Sequence, residues 1–315
     1  MRVAILDDIH HAYERTDGMR RLRERAEVRI FTAPFGDPAA LRGFDALVAN
    51  RERTRFTRAL LAQLPDARII AQTGGHAYHI DLAAAQQQGI VVAKAAGGFS
   101  TGAAELAMGL AIALMRGIPA ADTAVKSGAW PATLGVELHD KTMGIVGFGH
   151  VGRHVARIAA AFGMRVLASS PRLDAQSATS ARVEARALDD LLRDSDVVSV
   201  HAALTPQTRG LIDARRLGLM KPTTYLVNTA RGPIIDEAAL IETLAQRRIA
   251  GAALDVFDTE PLPAGHPLTR LPNVILTPHL GWPTDHRYAQ FADAAADVLL
   301  AHLDGRDVPH FTADH

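Results

Sequence analysis

The sequence predicts an α/β protein with two doubly wound parallel-sheet domains, and two observations carry this prediction. Short apolar segments of strand length alternate with helix-like segments along most of the chain. A glycine-rich turn follows one of the central apolar segments and leads directly into a helix-like segment. The length of 315 residues is sufficient for two domains of ordinary size.

The first part of the chain contains apolar segments that are typical of buried strands. These are residues 3–6, 28–31, 46–49, 69–72 and 90–93. Helix-like segments separate them, at residues 18–25, 57–63 and 80–88. Alternation of this kind predicts one parallel sheet covered by helices on both faces.

A long apolar helix is predicted after the Gly97-Gly98 pair, over residues 103–116, with Ser100-Thr101 as its cap. Because this helix is apolar nearly all round, we expect it to be buried between domains or subunits. The glycines and prolines between residues 117 and 135 predict an irregular arm.

The second α/β region begins at residue 142. Its predicted strands are 142–146, 164–169, 197–201, 225–228, 252–256 and 274–277, and its predicted helices are 151–162, 188–193, 213–219 and 237–247. A last helix, at residues 288–303, has no strand after it. One arrangement returns this helix to the first domain, so that two connections join the domains.

The glycine-rich turn has the G-x-G-x-x-G spacing at Gly147, Gly149 and Gly152. The first glycine permits the tight turn, the second lets the backbone approach a pyrophosphate, and the third lets helix and strand pack closely. The helix that begins near His150 and Val151 offers free N–H groups to phosphates. The sequence therefore predicts dinucleotide binding here, with His150 either near the phosphates or exposed in the first turn.

Composition excludes several classes of protein and site. The formal net charge is zero and no basic block is present, so neither nucleic acid nor an anionic membrane is an expected partner. The absence of cysteine excludes disulfides, thiolate metal sites and cysteine nucleophiles. The N-terminus lacks the pattern of a signal peptide, which predicts a cytoplasmic protein. His10, His11 and Glu14 are expected to be incidental, and no metal site is predicted.

Arg231, Glu260 and His279 each follow the end of a predicted strand, where ligands collect in open α/β sheets. Each has a structural alternative: a surface ion pair, a turn acid before proline, and a hydrogen-bonded imidazole. Together they match what reduction of a 2-oxo acid by a nicotinamide requires. A guanidinium holds the carboxylate and polarises the ketone, an imidazole donates the proton, and a carboxylate supports the imidazole.

On these residues the chain resembles the D-isomer-specific 2-hydroxyacid dehydrogenase family. The resemblance covers essentially the whole chain and is most specific at residues 147–152, 228–233, 254–261 and 277–281. It implies a Rossmann dinucleotide-binding domain, residues 100–284, inserted in a flavodoxin-like substrate domain, residues 1–99 and 285–315. It also implies a homodimer built partly on the long helix and the arm after it.

The resemblance assigns a role to each site residue. Arg231 binds the substrate carboxylate and carbonyl, His279 is the acid/base, and Glu260 is its partner. Asp255 contacts the nicotinamide carboxamide, and Thr229 and Ala230 line the nicotinamide pocket.

In the first domain, the backbone N–H groups of Thr73-Gly74-Gly75-His76 match the loop that holds the substrate carboxylate. The family's usual Gly-Val-Asp-Asn-Ile-Asp is replaced after Gly75 by His76-Ala77-Tyr78-His79-Ile80-Asp81. His76 or His79 therefore either reshapes the substrate pocket or faces solvent. Trp282 is a second candidate for the border of the substrate pocket.

The cofactor can be NAD or NADP. NAD-specific members of the family place an acidic residue after the second strand of the dinucleotide-binding domain, where it binds the ribose 2′-hydroxyl. The corresponding segment here is Ala168-Ser169-Ser170-Pro171-Arg172, and no acid occurs until Asp174. Ser170 and Arg172 are candidate contacts, and Arg172 could pair with a 2′-phosphate or point into solvent, so the sequence favours NADP.

The sequence predicts an NAD(P)-dependent enzyme that interconverts a small 2-oxo acid and its D-2-hydroxy acid. The predicted direction is reduction, as in glyoxylate/hydroxypyruvate reductases. Two alternatives stay open: a phosphoglycerate dehydrogenase-like enzyme, and a dinucleotide-sensing protein like the transcriptional corepressors built on the same scaffold. The formate dehydrogenases of the superfamily carry glutamine where Glu260 stands, which counts against that branch.

Overall fold

The computed structural model describes residues 1–95, 101–171 and 173–313. The chain divides into two compact units, one formed by Met1–Ser100 with Pro283–His315 and the other by Thr101–Trp282. The strands are β1 (Arg2–Ile5), β2 (Glu27–Ile30), β3 (Ala46–Ala49), β4 (Ile69–Thr73), β5 (Val91–Ala95), β6 (Thr142–Val146), β7 (Arg165–Ser169), β8 (Glu184–Ala185), β9 (Val197–Val200), β10 (Tyr225–Asn228), β11 (Gly251–Leu254) and β12 (Val274–Leu276). The helices are α1 (Asp17–Arg23), α2 (Arg58–Leu61), α3 (Leu82–Gln87), α4 (Gly102–Arg116), α5 (Ile118–Lys126), α6 (His150–Ala161), α7 (Ala175–Ser180), α8 (Leu188–Asp194), α9 (Ala214–Leu217), α10 (Glu237–Ala245) and α11 (Asp285–Leu303).

The first unit contains a five-stranded parallel sheet in the order β2-β1-β3-β4-β5. This is the doubly wound order of flavodoxin-like folds, in which the winding reverses between β1 and β3. The strands β3 and β4 are fully buried, which explains their continuous apolar sequence. The predicted flavodoxin-like sheet is confirmed.

The last helix, α11, packs against α1 within the first unit, and it also lies beside β4 and β5. The backbones of the two helices come close at Gly18, where an added Cβ would lie 2.4 Å from Ala292 O. Thr16 and Thr284 cap the two helices by accepting from backbone N–H groups. A larger residue at position 18 would therefore force α1 away from α11.

The second unit contains a seven-stranded parallel sheet in the order β12-β11-β10-β9-β6-β7-β8. The winding starts at β6 and reverses between β6 and β9, as in a Rossmann fold. Six of these strands match predicted segments, and the edge strand β8 is the exception. A strand of two residues carries no periodicity that a sequence pattern could reveal.

One prediction for the region around α4 is wrong, and a second is wrong for one of its two residues. The arm after α4 is helical over α5, because Pro119 occupies the first turn, where its missing N–H has no partner to lose. Thr101 precedes α4 but makes no side-chain cap, since its Oγ1 donates to Glu105 Oε1 at 2.5 Å. The other predicted capping residue, Ser100, lies outside the described residues.

The helix α4 packs against α6, β10 and β11 of its own unit. No single described helix is long and apolar enough to cross a membrane. Only α4 and α5 taken together meet the length and composition requirement, with a bend of 61° between them.

Candidate active site

Three neighbouring strands of the second unit end at the same level and bring the predicted catalytic residues to one edge of the sheet. The register pairs Asn228 of β10 with Leu254 of β11, and Leu254 with Leu276 of β12. Arg231 lies three residues beyond the first of these strands, and His279 lies three residues beyond the last. The loops that carry both residues therefore leave the sheet side by side.

His279 and Glu260 form a hydrogen-bonded pair, with His279 Nδ1 at 2.7 Å from Glu260 Oε2. The other carboxylate oxygen of Glu260 accepts from Phe257 N at 3.0 Å, which fixes the orientation of the carboxylate. The side chains of His279 and Glu260 are 31% and 36% exposed. Within the described part of the chain, His279 Nε2 makes no hydrogen bond, so this nitrogen is available to a ligand.

Asp255 holds the loop that carries His279. Its buried carboxylate accepts from Thr277 Oγ1 at 2.5 Å, from Leu280 N at 2.7 Å and from Gly281 N at 2.9 Å. Its carbonyl oxygen accepts from His279 N at 3.0 Å, and His279 itself has a φ of +56°. Sequence reasoning missed this anchoring contact, and the assignment of Asp255 to the nicotinamide carboxamide stays a prediction.

Asn228 fixes the turn that presents Arg231. Its side-chain amide donates to Arg231 O at 3.0 Å, and its side-chain oxygen accepts from Ala230 N at 3.0 Å. Thr229 Oγ1 is buried in this turn, with no hydrogen-bond partner among the described residues. The guanidinium of Arg231 is exposed and donates to Ala230 O at 2.6 Å.

The Arg231 turn is in direct contact with the loop that carries Glu260. A Cβ added at Gly232 would lie 2.1 Å from Phe257 C, so only glycine permits this approach of the two backbones. The structure therefore brings Arg231, Glu260 and His279 together on adjoining loops of one unit.

The glycine turn has the geometry that dinucleotide binding requires. Gly147 has a φ of +96°, and a Cβ at Gly152 would lie 2.3 Å from Gly147 O. Nothing lies within 4 Å of a Cβ added at Gly149, so the backbone there is open to a ligand. Gly149 supplies no side-chain cap, and the first turn of α6 carries no acidic residue. These residues fit a pyrophosphate at the N-terminus of α6.

The remaining cofactor candidates lie around this turn. His150 is exposed, and its Nε2 lies 3.2 Å from His154 Nε2, whereas Val151 is half-buried. Ser170 is half-buried beyond β7, and its carbonyl accepts from Leu173 N at 3.1 Å. Arg172 lies outside the described residues.

His201 is a further residue at this edge that sequence reasoning did not identify. Its backbone N–H donates to Val146 O at 2.7 Å, and its Nε2 lies 2.8 Å from Ser199 Oγ. The residues after it pack against Gly147, where a Cβ would lie 2.4 Å from Ala202 N. Burial of the imidazole lowers the pKa of His201 to about 4, so the ring is neutral at pH 7.

The substrate-loop candidates lie in the first unit, after β4. Gly74 has a φ of +101°, and nothing lies within 4 Å of a Cβ added at its neighbour Gly75. His76 does not face solvent freely, because its Nε2 lies 2.8 Å from a carboxylate oxygen of Glu52. His79 is buried, with Nε2 at 3.2 Å from Gln72 Oε1. The solvent-facing alternative is therefore wrong for His79, whereas the side chain of His76 is 31% exposed.

Trp282 is half-buried and is the last residue of the second unit. It follows directly after the loop that Asp255 holds, so it is next in sequence to the predicted acid/base loop. Its place at the border of a substrate pocket stays a prediction.

Comparison with known proteins agrees with this geometry. Residues 108–281 match the model of the D-isomer specific 2-hydroxyacid dehydrogenase NAD binding domain. The chain is 41% identical over 260 residues to the glyoxylate reductase of Aeropyrum pernix. The aligned region covers 80% of this chain and 78% of that protein. It is 36% identical over 306 residues to the D-3-phosphoglycerate dehydrogenase of Methanocaldococcus jannaschii. This aligned region covers 96% of this chain but only 56% of that longer protein.

Among solved structures, the phosphoglycerate oxidoreductase of Vibrio cholerae superposes with a TM-score of 0.82 at 31% identity, covering 97% of this chain and 99% of that one. The fold of the chain thus agrees with the similarity along the sequence. The chain belongs to the D-isomer specific 2-hydroxyacid dehydrogenase family, and residues 108–281 are its NAD-binding domain.

Proposed function

We propose that this protein is a reductase of a small 2-oxo acid, of the glyoxylate/hydroxypyruvate type, that forms the D-2-hydroxy acid. The single observation that carries the proposal is the His279–Glu260 pair on a loop edge shared with Arg231. The similarity to a protein named glyoxylate reductase supports this substrate class.

The residues divide the reaction between them. A reduced nicotinamide, once bound, would supply the hydride for the reduction. His279 donates a proton from Nε2 to the carbonyl oxygen, because its Nδ1 is held by Glu260. Arg231 binds the substrate carboxylate and polarises the carbonyl with its fork of donors. Hydride and proton together convert the carbonyl group into the alcohol, and the backbone N–H groups of Gly74 and Gly75 are assigned to the substrate carboxylate.

NADPH is the cofactor that we assign to this reaction. The segment from Ala168 to Arg172 offers no carboxylate to a ribose 2′-hydroxyl. The next acid, Asp174, caps α7, where its Oδ1 accepts from Ser177 N at 2.7 Å. No carboxylate of this segment would therefore repel a 2′-phosphate. The sequence also places the cationic side chain of Arg172 at the end of the segment.

Two variants test the cofactor assignment. Arg172→Ala should weaken NADPH binding more than NADH binding, because only NADPH carries the charge to pair with it. Ser170→Asp should reverse the preference by placing a carboxylate after β7. Equal changes in the KM of both nucleotides, in both variants, would contradict the assignment.

The function itself is tested by mixing the protein with NADPH or NADH and a series of 2-oxo acids, among them glyoxylate and hydroxypyruvate. We expect loss of reduced-nicotinamide absorbance with at least one of them. No loss with any member of the series would favour the alternative of a dinucleotide-sensing protein.

A homodimer is part of the proposal. Large apolar side chains on α5 and the segment after it are exposed within the second unit. They are Ile118, Val125, Trp130 (88% exposed) and Leu134 (100% exposed). Light scattering during size-exclusion chromatography measures the mass, and Leu134→Glu should favour the monomer if this surface forms the contact.

A further inference from the structure

The loop between β11 and β12 carries Glu260, and a residue outside this loop holds it on both sides of Glu260. That residue is Glu237, which begins α10, the helix that follows the Arg231 turn. Its Oε2 accepts from the backbone N–H of Asp258 at 3.5 Å, and its Oε1 lies 3.2 Å from His266 Nε2. One carboxylate therefore binds the loop shortly before Glu260 and again after it.

The hydrogen bonds of His266 assign the proton to one of its ring nitrogens. Its Nδ1 accepts from Leu268 N at 3.4 Å, which caps the 3₁₀ turn Pro267–Arg270. In the neutral ring Nε2 then carries the proton, and it donates to Glu237. The side chains of His266 and Glu237 are 16% and 22% exposed, so few water molecules compete for this contact.

The charges near Glu237 do not explain why its carboxylate faces the loop. Among the described residues, Glu237 forms no ion pair with a lysine or an arginine. Burial and the negative charge of Glu237 raise the pKa of Asp258; Asp236 acts in the same direction, and Arg209 in the opposite one. Glu237 thus lies near like charges, and the N–H donors of Asp258 and His266 are the contacts that favour its position.

Consecutive contacts join the segment that Glu237 holds to the imidazole of His279. Phe257, the neighbour of Asp258, donates its N–H to Glu260 Oε1 at 3.0 Å. Glu260 Oε2 in turn lies 2.7 Å from His279 Nδ1. A displacement of the segment would therefore move the carboxylate of Glu260 away from the imidazole, and small displacements of this kind are costly to turnover.

A simpler role for Glu237 is stabilisation of α10. An acidic residue in the first turn of a helix interacts favourably with the helix dipole, and Asp236 caps the same helix by accepting from Ala239 N. This role requires neither the N–H of Asp258 nor the ring of His266. Because each oxygen of Glu237 has a partner in the loop, helix stabilisation alone does not account for the geometry.

We propose that Glu237 is a positioning residue for the reaction, because it holds the loop on both sides of Glu260 and so keeps that carboxylate against His279 Nδ1. Glu237 acts through Glu260 and supplies no group to the reacting atoms. This inference rests on the proposed function, in which His279 donates the proton. Turnover should therefore depend on Glu237, and nucleotide binding should not.

The test measures kcat and the nucleotide KM with a 2-oxo acid that the wild type reduces. Glu237→Ala should lower kcat about tenfold in the wild type, but less than about threefold in a Glu260→Ala background, where no carboxylate is left to position. The nucleotide KM should stay nearly constant in both backgrounds. Glu242→Ala is the matched control, since Glu242 pairs with Arg248 at 3.2 Å on the exposed side of the same helix, and it should leave kcat unchanged.

A second pair of variants tests the same contact from the other side. His266→Gln keeps an N–H donor near the place of Nε2, His266→Ala removes it, and both variants lose the ring nitrogen that caps Leu268 N. We expect kcat of the glutamine variant to exceed that of the alanine variant by about threefold or more. This comparison does not depend on whether a variant at position 237 folds.

The outcomes separate the inference from the function. Equal losses of kcat for Glu237→Ala in the two backgrounds would assign Glu237 to the fold alone and overturn the inference. So would an unchanged kcat in Glu237→Ala, a raised nucleotide KM as its main effect, or equal kcat values for the two His266 variants. In each of these cases the wild type still reduces its substrate, so the proposed function stands. A wild type that reduces no 2-oxo acid with either nucleotide contradicts the proposed function, and the inference fails with it.

Discussion

Glu260 Oε2 lies 2.7 Å from His279 Nδ1, although the two residues belong to loops that follow different strands. The contact depends on the register of β11 and β12, which pairs Leu254 with Leu276. The second oxygen of Glu260 is held by Phe257 N, so the imidazole is oriented by a carboxylate that is itself fixed. Such an arrangement leaves Nε2 as the atom that can exchange a proton with a ligand.

Replacement of the imidazole should therefore abolish most of the turnover. We expect His279→Ala to lower kcat by at least about a hundredfold, as for loss of a general acid. Glu260→Gln should have a smaller effect, because the amide oxygen can still accept from Nδ1 while the charge is lost. Steady-state kinetics with saturating nucleotide measures both. Full turnover of His279→Ala at saturating substrate would remove His279 from the mechanism.

Asp255 should act through the loop that it holds. Asp255→Asn replaces one carboxylate oxygen by an amide N–H₂, so that either Leu280 N, which donates to Oδ1, or Gly281 N, which donates to Oδ2, faces a donor instead of an acceptor. We expect kcat to fall by about tenfold or more while the KM for the nucleotide stays nearly constant. A rise in that KM without a change in kcat would instead support the carboxamide contact. Asp190→Asn, an exposed change in the same unit, is the control.

Gly149 and Gly152 of the glycine turn should respond differently to an added methyl group. Gly152→Ala places a Cβ 2.3 Å from Gly147 O, so we expect a lower melting temperature and loss of nucleotide binding. Gly149→Ala meets no atom within 4 Å, so the fold should keep its melting temperature while nucleotide affinity falls about tenfold or more. Thermal unfolding and nucleotide titration distinguish the two. Unchanged affinity in Gly149→Ala would mean that the pyrophosphate does not approach this residue.

The fold and the meeting of the three candidate catalytic residues at one edge of the sheet could be predicted from sequence because their signals are local. Buried parallel strands are continuous apolar runs, and Arg231, Glu260 and His279 each follow such a run. The contact between Glu52 and His76 could not be predicted, since it requires knowing that β3 and β4 are neighbours in a given register. A helix such as α5 was missed for a different reason: glycine and proline at its start also occur in irregular segments.

His201 should make the fold sensitive to acid. Its pKa in the folded protein is about 4, against 6.5 for an ordinary histidine, because burial disfavours the charged ring. Between these values the unfolded chain binds a proton at His201 that the folded chain does not, so protonation favours unfolding. The stability contributed by neutral His201 is therefore complete above pH 6.5 and is lost as the pH falls towards 4.

His201→Gln removes this titration and keeps a polar group near Ser199 Oγ, which lies 2.8 Å from the native ring. We expect the melting temperature of this variant to fall less than that of the wild type as the pH is lowered through the same interval. His139→Gln, which replaces an imidazole that is 69% exposed, serves as the control and should follow the wild type. Parallel curves for His201→Gln and the wild type would show that His201 binds its proton equally in the folded and unfolded chains.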